Sequence, residues 1–339
     1  MRIEHVKAGM VLAEDILDEH GHLLLEKGIA LTESYLSRMR SLGIRSLSIA
    51  DAYANSLKLT TAITSQLREE LSLCFRALFH LKSEELLAQK LRTVYIRQLN
   101  STVDSVITQM EGQLHRIINV QVRTPSTTEV EHAVNVCLLS VITGLYLRFP
   151  RAVLQELALG ALLHDIGKSL VPQNAQAPSN PEFHCLAGQS LLMRSGVGSV
   201  IARIAAEHHE YYDGSGYPAK ITNTKIHPLS RIVAVSNYFD SAISQANEDG
   251  TPRHEVMERL LASGNIHFDL NVLRAFCHTV AIYPIGSLVK LSSGEFGYVV
   301  ENQTQFPLRP VVRIFQSGNP TDINLVFKPQ IIIEELIQE

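Results

Sequence analysis

No two cysteines of this 339-residue chain stand in a C-x-x-C pair. The four present, Cys74, Cys137, Cys185 and Cys277, are scattered. That excludes a disulfide framework or a cysteine-rich structural zinc site and fits reduced, mostly buried thiols. A strong net charge is also absent: the formal value is −4, too small for a field that would gather nucleic acid or a membrane surface. The most apolar run, from Ala133 to Leu147, contains Asn135 and Thr143 and falls short of a bilayer span. The opening MRIEHVKAGMVLAEDI lacks the basic-then-apolar order of a secretion signal. Internal repeats and low-complexity tracts are missing too. What is left is the profile of a folded soluble protein, 45% hydrophobic and 19% charged. It is expected in the cytoplasm, with no nucleic-acid or membrane partner.

The length allows more than one domain, and the pattern divides into four stretches. Residues 1–54 read as a small α/β accessory domain. Two short apolar segments flank the turn Asp18-Glu19-His20-Gly21, Thr32 caps a helix over roughly 33–42, Gly43 ends it, and Ser46–Ile49 resembles a strand. Residues 55–120 are rich in Leu, Glu, Gln, Lys and Arg with almost no Gly or Pro. That composition predicts long amphipathic helices, a connector suited to joining two chains as a homodimer. Residues 121–283 stay helical, broken by turns such as Pro178-Ser179-Asn180-Pro181. From 284 to 339 the period becomes that of strands. Ser287–Leu291 and Phe296–Val300 form a hairpin about Ser292-Ser293-Gly294, and Pro310–Phe315 and Asn324–Phe327 add strands. The expected fold is mainly α: an all-helical metal-binding domain, a small N-terminal α/β domain and a small C-terminal β appendage.

Fourteen histidines exceed what average composition supplies, and their places carry the chemistry. In ALLHDIGK, residues 161–168, an apolar helix ends in His164-Asp165, with Gly167 placed to close it and Lys168 one turn on. Neutral imidazole takes a transition metal and a carboxylate can bridge two; the plainer alternative is a His-Asp pair satisfying a helix end. His208 continues the stripe of Val200 and Ile204, and His209 that of Ile201 and Ala205, so both imidazoles point inward. One buried histidine is usually a satisfied core residue; two, with a buried His-Asp, are hard to satisfy without a metal. His132 lies early in an apolar helix over 130–147, and His184 precedes an apolar segment containing Leu191, Leu192 and Met193. Five histidines and one aspartate at helix ends describe a dinuclear site.

The stretch HHEYYDGSGYP, residues 208–218, follows the paired histidines with a glycine turn. Asp213-Gly214-Ser215-Gly216 could set backbone N–H groups around an anion, and Tyr217, held by Pro218, offers a flat ring and a hydroxyl to a base or sugar. An ordinary glycine turn is the plainer alternative.

With HDIGK (164–168), His184-x-x-x-Gly188, HHEYYDGSGYP (208–218) and the helix around HAVNV (132–136), the sequence over about 120–283 resembles the HD-GYP family, bacterial cyclic di-GMP phosphodiesterases of the HD hydrolase superfamily. The N-terminal unit and PIGSLVKLSSGEFGYVVEN are similar to accessory regions of one branch. The resemblance implies a helical HD-type domain with two divalent transition-metal ions, iron or manganese in the first place and zinc, nickel or cobalt in the second. It implies hydrolysis of cyclic di-GMP to pGpG or GMP by water activated at the metals, and a signalling-protein partner at the GYP surface. Carried over by position, the metal ligands are His132, His164, Asp165, His184, His208 and His209. Asp165 and Lys168 are the catalytic residues, Lys168 on the scissile phosphate, and Asp213, Gly214, Gly216, Tyr217 and Pro218 shape the substrate pocket.

Three positions depart from the family pattern. Thr128 stands where members with a third metal carry glutamate, which argues for two. Asn237 replaces the last aspartate ligand, with Asp240 one turn on as a substitute. Gln245-Ala246-Asn247-Glu248 replaces a D-R-P-Y-like segment whose arginine contacts substrate. The leading expectation is a metal-dependent cyclic di-GMP phosphodiesterase, weakened at Asn237 and Ala246. A catalytically weak or inactive metal- and nucleotide-binding sensor comes second, and a hydrolase of another phosphoester third.

Overall fold

The computed structural model describes residues 23–42, 49–50, 63–81, 83–112, 128–171, 181–303, 305–316 and 319–338, with scattered positions before 23 and at 44 and 47. The turn at 18–21, Gly43, Ser46 and the turn at 178–180 lie outside the described residues. The chain divides into two compact units, Thr60–Ile282 and a second made of Met1–Leu59 with Tyr283–Glu339.

The helical unit is built from α2 (Ser65–Phe79), α3 (Glu84–Lys90), α4 (Ile96–Glu111), α5 (Glu129–Tyr146), α6 (Arg151–Leu163), α7 (Phe183–Ser195), α8 (Ser199–Glu207), α9 (Pro228–Asp249), α10 (Arg253–Ala262) and α11 (Leu270–Thr279). α5 is the central helix. Its residues from Ala133 to Leu145 are all buried, because α6 and α9 pack on it. The polar residues inside find partners: Ser140 Oγ donates to Ser236 Oγ at 3.0 Å and Thr143 Oγ1 to Leu139 O at 2.8 Å. α6 also crosses α8, and they meet at Gly160, where an added Cβ would come within 2.2 Å of Ile204. Only glycine permits that approach.

The segment expected to serve as a dimerising connector packs within the same unit as the bundle. α2 buries Leu67, Leu71, Phe75 and Leu78, and α4 buries Leu99, Val103, Val106, Ile107 and Met110; α2 contacts α5, and α4 contacts α6. Their buried apolar stripes are covered within the chain. No helix among the described residues is long and apolar enough to cross a membrane.

In the other unit, α1 (Glu33–Ser41) starts at Thr32, whose Oγ1 accepts from Tyr35 N at 3.3 Å. Its buried Leu36 and Met39 join a small core with Leu12, Leu25, Leu31 and Leu47. β1 (Val11–Leu12) pairs with β4 (Ile49–Ala50), and β2 (Ile16–Leu17) with β3 (Leu23–Leu25). The C-terminal part is an antiparallel sheet of β5 (Leu288–Leu291), β6 (Phe296–Glu301), β7 (Val311–Gln316), β8 (Asn319–Asn324) and β9 (Ile333–Gln338) in the order β8-β7-β6-β5-β9. The expected strand at Asn324–Phe327 is displaced. Residues 319–324 pair with β7, and Asn324 Oδ1 accepts from Val326 N at 3.0 Å to start a short 3-10 turn.

Candidate metal centre

Five helices bring the polar residues to one place. His132 sits one turn inside α5, whose start is fixed by a capping box between Thr128 and Glu131. Thr128 therefore serves the helix end. α6 ends at Leu163, His164 caps its C-terminus, and Asp165 precedes the 3-10 turn Ile166–Leu170. His184 lies in the first turn of α7, His208 and His209 at the end of α8, and Asn237 and Asp240 on α9.

Helix ends leave carbonyls without partners, and two of the histidines use them. His164 Nδ1–H donates to Ala161 O at 2.7 Å, and His208 Nδ1–H to Ala205 O at 2.9 Å. That places the proton on Nδ1 and turns each Nε2 lone pair toward the site.

Asp165 lies at the centre, buried, and divides its two oxygens. Oδ2 is 3.1 Å from His164 Nε2, 3.8 Å from His132 Nε2 and 2.7 Å from Lys168 Nζ. Oδ1 is 3.3 Å from His184 Nε2 and 3.5 Å from His208 Nε2, which are 3.3 Å from each other. Donors sharing one tetrahedral ion at zinc-like bond lengths stand about 3.3–3.6 Å apart, so the second group has the spacing of an ion's coordination sphere. His164 Nε2 and Asp165 Oδ1 are buried without a hydrogen-bond partner, a costly state that a cation between them and their neighbours would relieve. The residues present fit divalent metal ions, in two donor sets: His132, His164 and Asp165, and His184, Cys185, His208 and His209. Cys185, which belongs to no C-x-x-C pair, is not among the residues that the histidine pattern marks.

The electrostatics differ between the sets. Burial pushes His208 down to about 4 and His209 down to about 2, with neighbouring imidazoles adding to the effect at His209; His184 is lowered by burial as well. These rings stay neutral, the form that binds metal. Burial also pulls His132 down, but the bond and charge of Asp240 outweigh it and raise the value. Burial alone would raise Asp165; the neighbouring His164 and His208 rings and the Lys168 cation hold it well below the usual carboxylate range. Lys168 is raised, burial notwithstanding, by Asp165 and by Glu129, whose Oε2 is 3.1 Å from Nζ.

Asp240 does not stand in for Asn237. Its Oδ2 accepts from His132 Nδ1 at 2.6 Å and its Oδ1 from Asn135 Nδ2 at 2.8 Å, while Asn135 Oδ1 accepts from Arg68 of α2. Both oxygens are engaged in orienting the α5 side of the site. Asn237 Oδ1 is 2.9 Å from His132 Nε2, two acceptors that a proton, a cation or a turned amide reconciles.

Most N–H groups of the glycine turn are already engaged: Tyr212 N donates to His267 O, Asp213 N to Ile266 O, Gly214 N to Tyr211 O and Tyr217 N to His209 O. Asp213 Oδ1 accepts from Ser215 N at 2.9 Å and Oγ at 2.6 Å, closing the turn on itself. Gly216 is required because a Cβ would come within 2.4 Å of His209 O and 2.3 Å of Tyr211 N. The buried carboxylate of Glu210, unnoticed in the sequence, accepts from Ala219 N and Ile221 N at 2.5 and 3.2 Å and anchors the far side of the turn, where the Tyr217–Pro218 peptide is cis. Tyr217 stacks on His209, centroids 4.7 Å apart and planes 21° from parallel. The turn thus braces a candidate ligand. Gly167, expected to close α6, instead allows contact with α7: a Cβ there would fall 2.0 Å from His184 O. Met193 is exposed rather than part of the apolar face. Ala246 is buried in an unbroken α9, which runs on to Asp249 before Gly250 ends it in a left-handed turn, so no arginine occupies that position.

Residues 118–272 match the HD domain family, and residues 288–339 match a KOW domain associated with HD domains. A cyclic di-GMP phosphodiesterase of Pseudomonas aeruginosa is 31% identical over 271 residues, 76% of this chain and 65% of that protein. A 3'3'-cGAMP-specific phosphodiesterase of Vibrio cholerae is 32% identical over 119 residues, 32% of this chain and 23% of that protein. The chain thus spans less than two thirds of either relative's length. A solved structure of an HDG"Y"P protein from Bdellovibrio bacteriovorus aligns at a TM-score of 0.46 and 18% identity, over 81% of this chain and 97% of its own.

Proposed function

We propose that this chain, which matches the HD domain family over residues 118–272 and carries the HDIGK and HHEYYDGSGYP stretches, is a metal-dependent phosphodiesterase of the HD-GYP kind hydrolysing cyclic di-GMP to pGpG or GMP. The observation that carries the reading is the division of Asp165, one oxygen toward each donor set. Such a carboxylate suits two ions close together, the arrangement that serves phosphoester hydrolysis. In this reading His132 and His164 hold one ion and His184, His208 and His209 the other, with Asp165 between them. Iron or manganese suits the imidazole–carboxylate donors, and zinc, nickel or cobalt also fits. Bound there, two divalent ions would activate a water molecule and neutralise charge on the phosphoryl oxygens.

The protein's own groups prepare the rest. Lys168 Nζ, about one-third exposed and held between Asp165 and Glu129, is a cation within reach of an entering phosphate. Tyr217 keeps His209 in place and presents its ring edge to a sugar or base. Asp240 orients His132 through Nδ1, the outer-sphere support metal-ligating histidines usually have.

A second reading has its own observation. Asn237 offers His132's side of the site a neutral oxygen where a carboxylate would hold a metal more tightly, and α9 supplies no arginine for substrate. These features suit a sensor that binds metal and nucleotide with little turnover. The test is anaerobic purification with metal analysis, followed by binding and turnover assays with cyclic di-GMP under iron or manganese, 3'3'-cGAMP in parallel. Turnover to pGpG or GMP supports the phosphodiesterase. Tight binding without turnover selects the sensor, and faster turnover of 3'3'-cGAMP reassigns the substrate.

A further inference from the structure

We propose that Cys185 is a thiolate ligand of the second donor set, making that half of the centre a histidine–carboxylate–sulfur site while the other half has only nitrogen and oxygen donors. The inference rests on the metal-centre reading above and concerns a residue of this chain that the histidine pattern does not include. Cys185 follows His184 in the first turn of α7 and is fully buried. Its Sγ is 3.4 Å from His184 Nε2, and the donor atoms of Cys185, His184, His208 and His209 all lie within 4.8 Å of one another. For a tetrahedral ion with bonds of about 2.3 Å to sulfur and about 2.0–2.1 Å to nitrogen, the sulfur–nitrogen separation is about 3.5 Å. The measured spacing is therefore that of two ligands on one ion, and it matches the 3.3 Å between His184 Nε2 and His208 Nε2.

An independent observation points to the same place. Asp165 Oδ1, buried and without a hydrogen-bond partner, stands 3.3 and 3.5 Å from those two nitrogens. The other cysteines serve as internal references. Cys137 is enclosed in the middle of α5, and Cys277 donates to Met257 Sδ at 3.4 Å, as core thiols do. Cys185 alone of the four belongs to a set of metal-binding donors among the described residues.

A thiol keeps its proton until a cation takes its place. Binding then forms the sulfur–metal bond and releases the thiol proton to solvent. A soft donor on one side only makes the two halves unequal: zinc, cobalt or iron(II) is favoured there over magnesium or manganese.

Cobalt(II) reads this directly in the whole 339-residue chain. The ion-free chain is loaded with cobalt(II) alone without oxygen, and its absorption is recorded beside Cys185→Ala, Cys185→Ser and Cys137→Ser. The expected result is a sulfur-to-cobalt charge-transfer band in the near ultraviolet for the unaltered chain and Cys137→Ser. Both Cys185 variants should lose it while keeping the visible cobalt bands, release one proton fewer on loading, and bind the second ion about tenfold or more weakly, at least what loss of an outer-sphere partner costs. Visible cobalt bands without charge transfer in the unaltered chain would overturn the proposal and leave the metal centre standing, as would charge transfer that persists in Cys185→Ala. Failure of the unaltered chain to bind cobalt at all would overturn both. The unaltered chain's spectrum decides even if one variant does not fold.

Discussion

The two halves of the centre, one on either side of Asp165, are made differently. The second half takes its donors from α7 and the end of α8, where His208 is tied to the carbonyl of its own helix and His209 is clamped under Tyr217. Its surroundings are apolar, and burial keeps its imidazoles neutral. The first half draws on α5, α6 and α9, and its His132 is tied to a polar chain through Asp240 and Asn135 to Arg68 on α2. Its imidazole is held toward the protonated form. One half is therefore set by local helix geometry and packing. The other depends on a network of charged and amide groups that runs from α9 through α5 to α2. Networks of this kind are sensitive to any one member, so the first half is where activity can be tuned or lost.

The largest expected effect removes the comparison altogether. Asp165→Ala takes a carboxylate from both sets at once, so metal analysis should show both ions lost while the circular dichroism of the helices remains. A variant that keeps its full complement of metal would sink the bridging role.

Next, the halves should respond separately to changes on α9. Asp240→Ala leaves His132 Nδ1 without its acceptor and should weaken the first ion about 10–100-fold, with the cobalt spectrum of the second half unaltered. Asn237→Asp adds the missing anionic oxygen beside His132 Nε2 and should raise first-ion retention and cyclic di-GMP hydrolysis together. Competition with a metal chelator, run on both variants, measures this; equal weakening of both ions in Asp240→Ala would mean that the halves are not separate.

Acid should also part them. Metal ligands must lose their protons to bind, and His132, raised above the ordinary imidazole value of about 6.5, takes a proton at higher pH than His208 at about 4. On dialysis from pH 7 toward pH 5 the first ion should leave before the second. For the ion-free protein the signs are opposite. Between about 6.5 and about 4 the unfolded chain binds a proton at residue 208 that the folded chain refuses, so stability falls as pH drops through that window. His132's contribution is complete below the ordinary value and is lost as pH rises through its raised one. Simultaneous release of both ions would count against the distinction.

The smallest effect tests the far end of the network. Arg68→Ala removes the donor to Asn135 and should cost about 1 kcal/mol at the first half, a severalfold loss of first-ion affinity. The second half should not respond, and the same titration reads both.

The residues that could be found by reading were those whose meaning is local. Thr32 and the helix it caps, α5 with its apolar run, and the histidines at 132, 164, 184, 208 and 209 with Asp165 follow from spacings of three and four residues and from the ends of apolar stretches. The turn at Asp213–Gly216 is legible as a turn, but glycine and aspartate do not say what its N–H groups bond, and here Asp213 N bonds to Ile266 O and Gly214 N to Tyr211 O. By spacing alone Asp240 is a candidate stand-in ligand, because it shares a helix face with Asn237. It faces the other nitrogen of His132 instead, and no spacing along α9 carries that information.

The sequence by itself determined the helices, the histidine–aspartate set and the family, because helix period, end-capping and donor chemistry are properties of a few neighbouring residues. Only the tertiary structure decided which Asp165 oxygen serves which set, that Cys185 stands among imidazoles rather than core carbons, and that Arg68 reaches a site 67 residues downstream at Asn135. Those relations depend on how α2, α5, α7, α8 and α9 cross. Helix crossings are settled by the packing of whole faces, and a shift of a few tenths of an ångström there separates a ligand from a bystander.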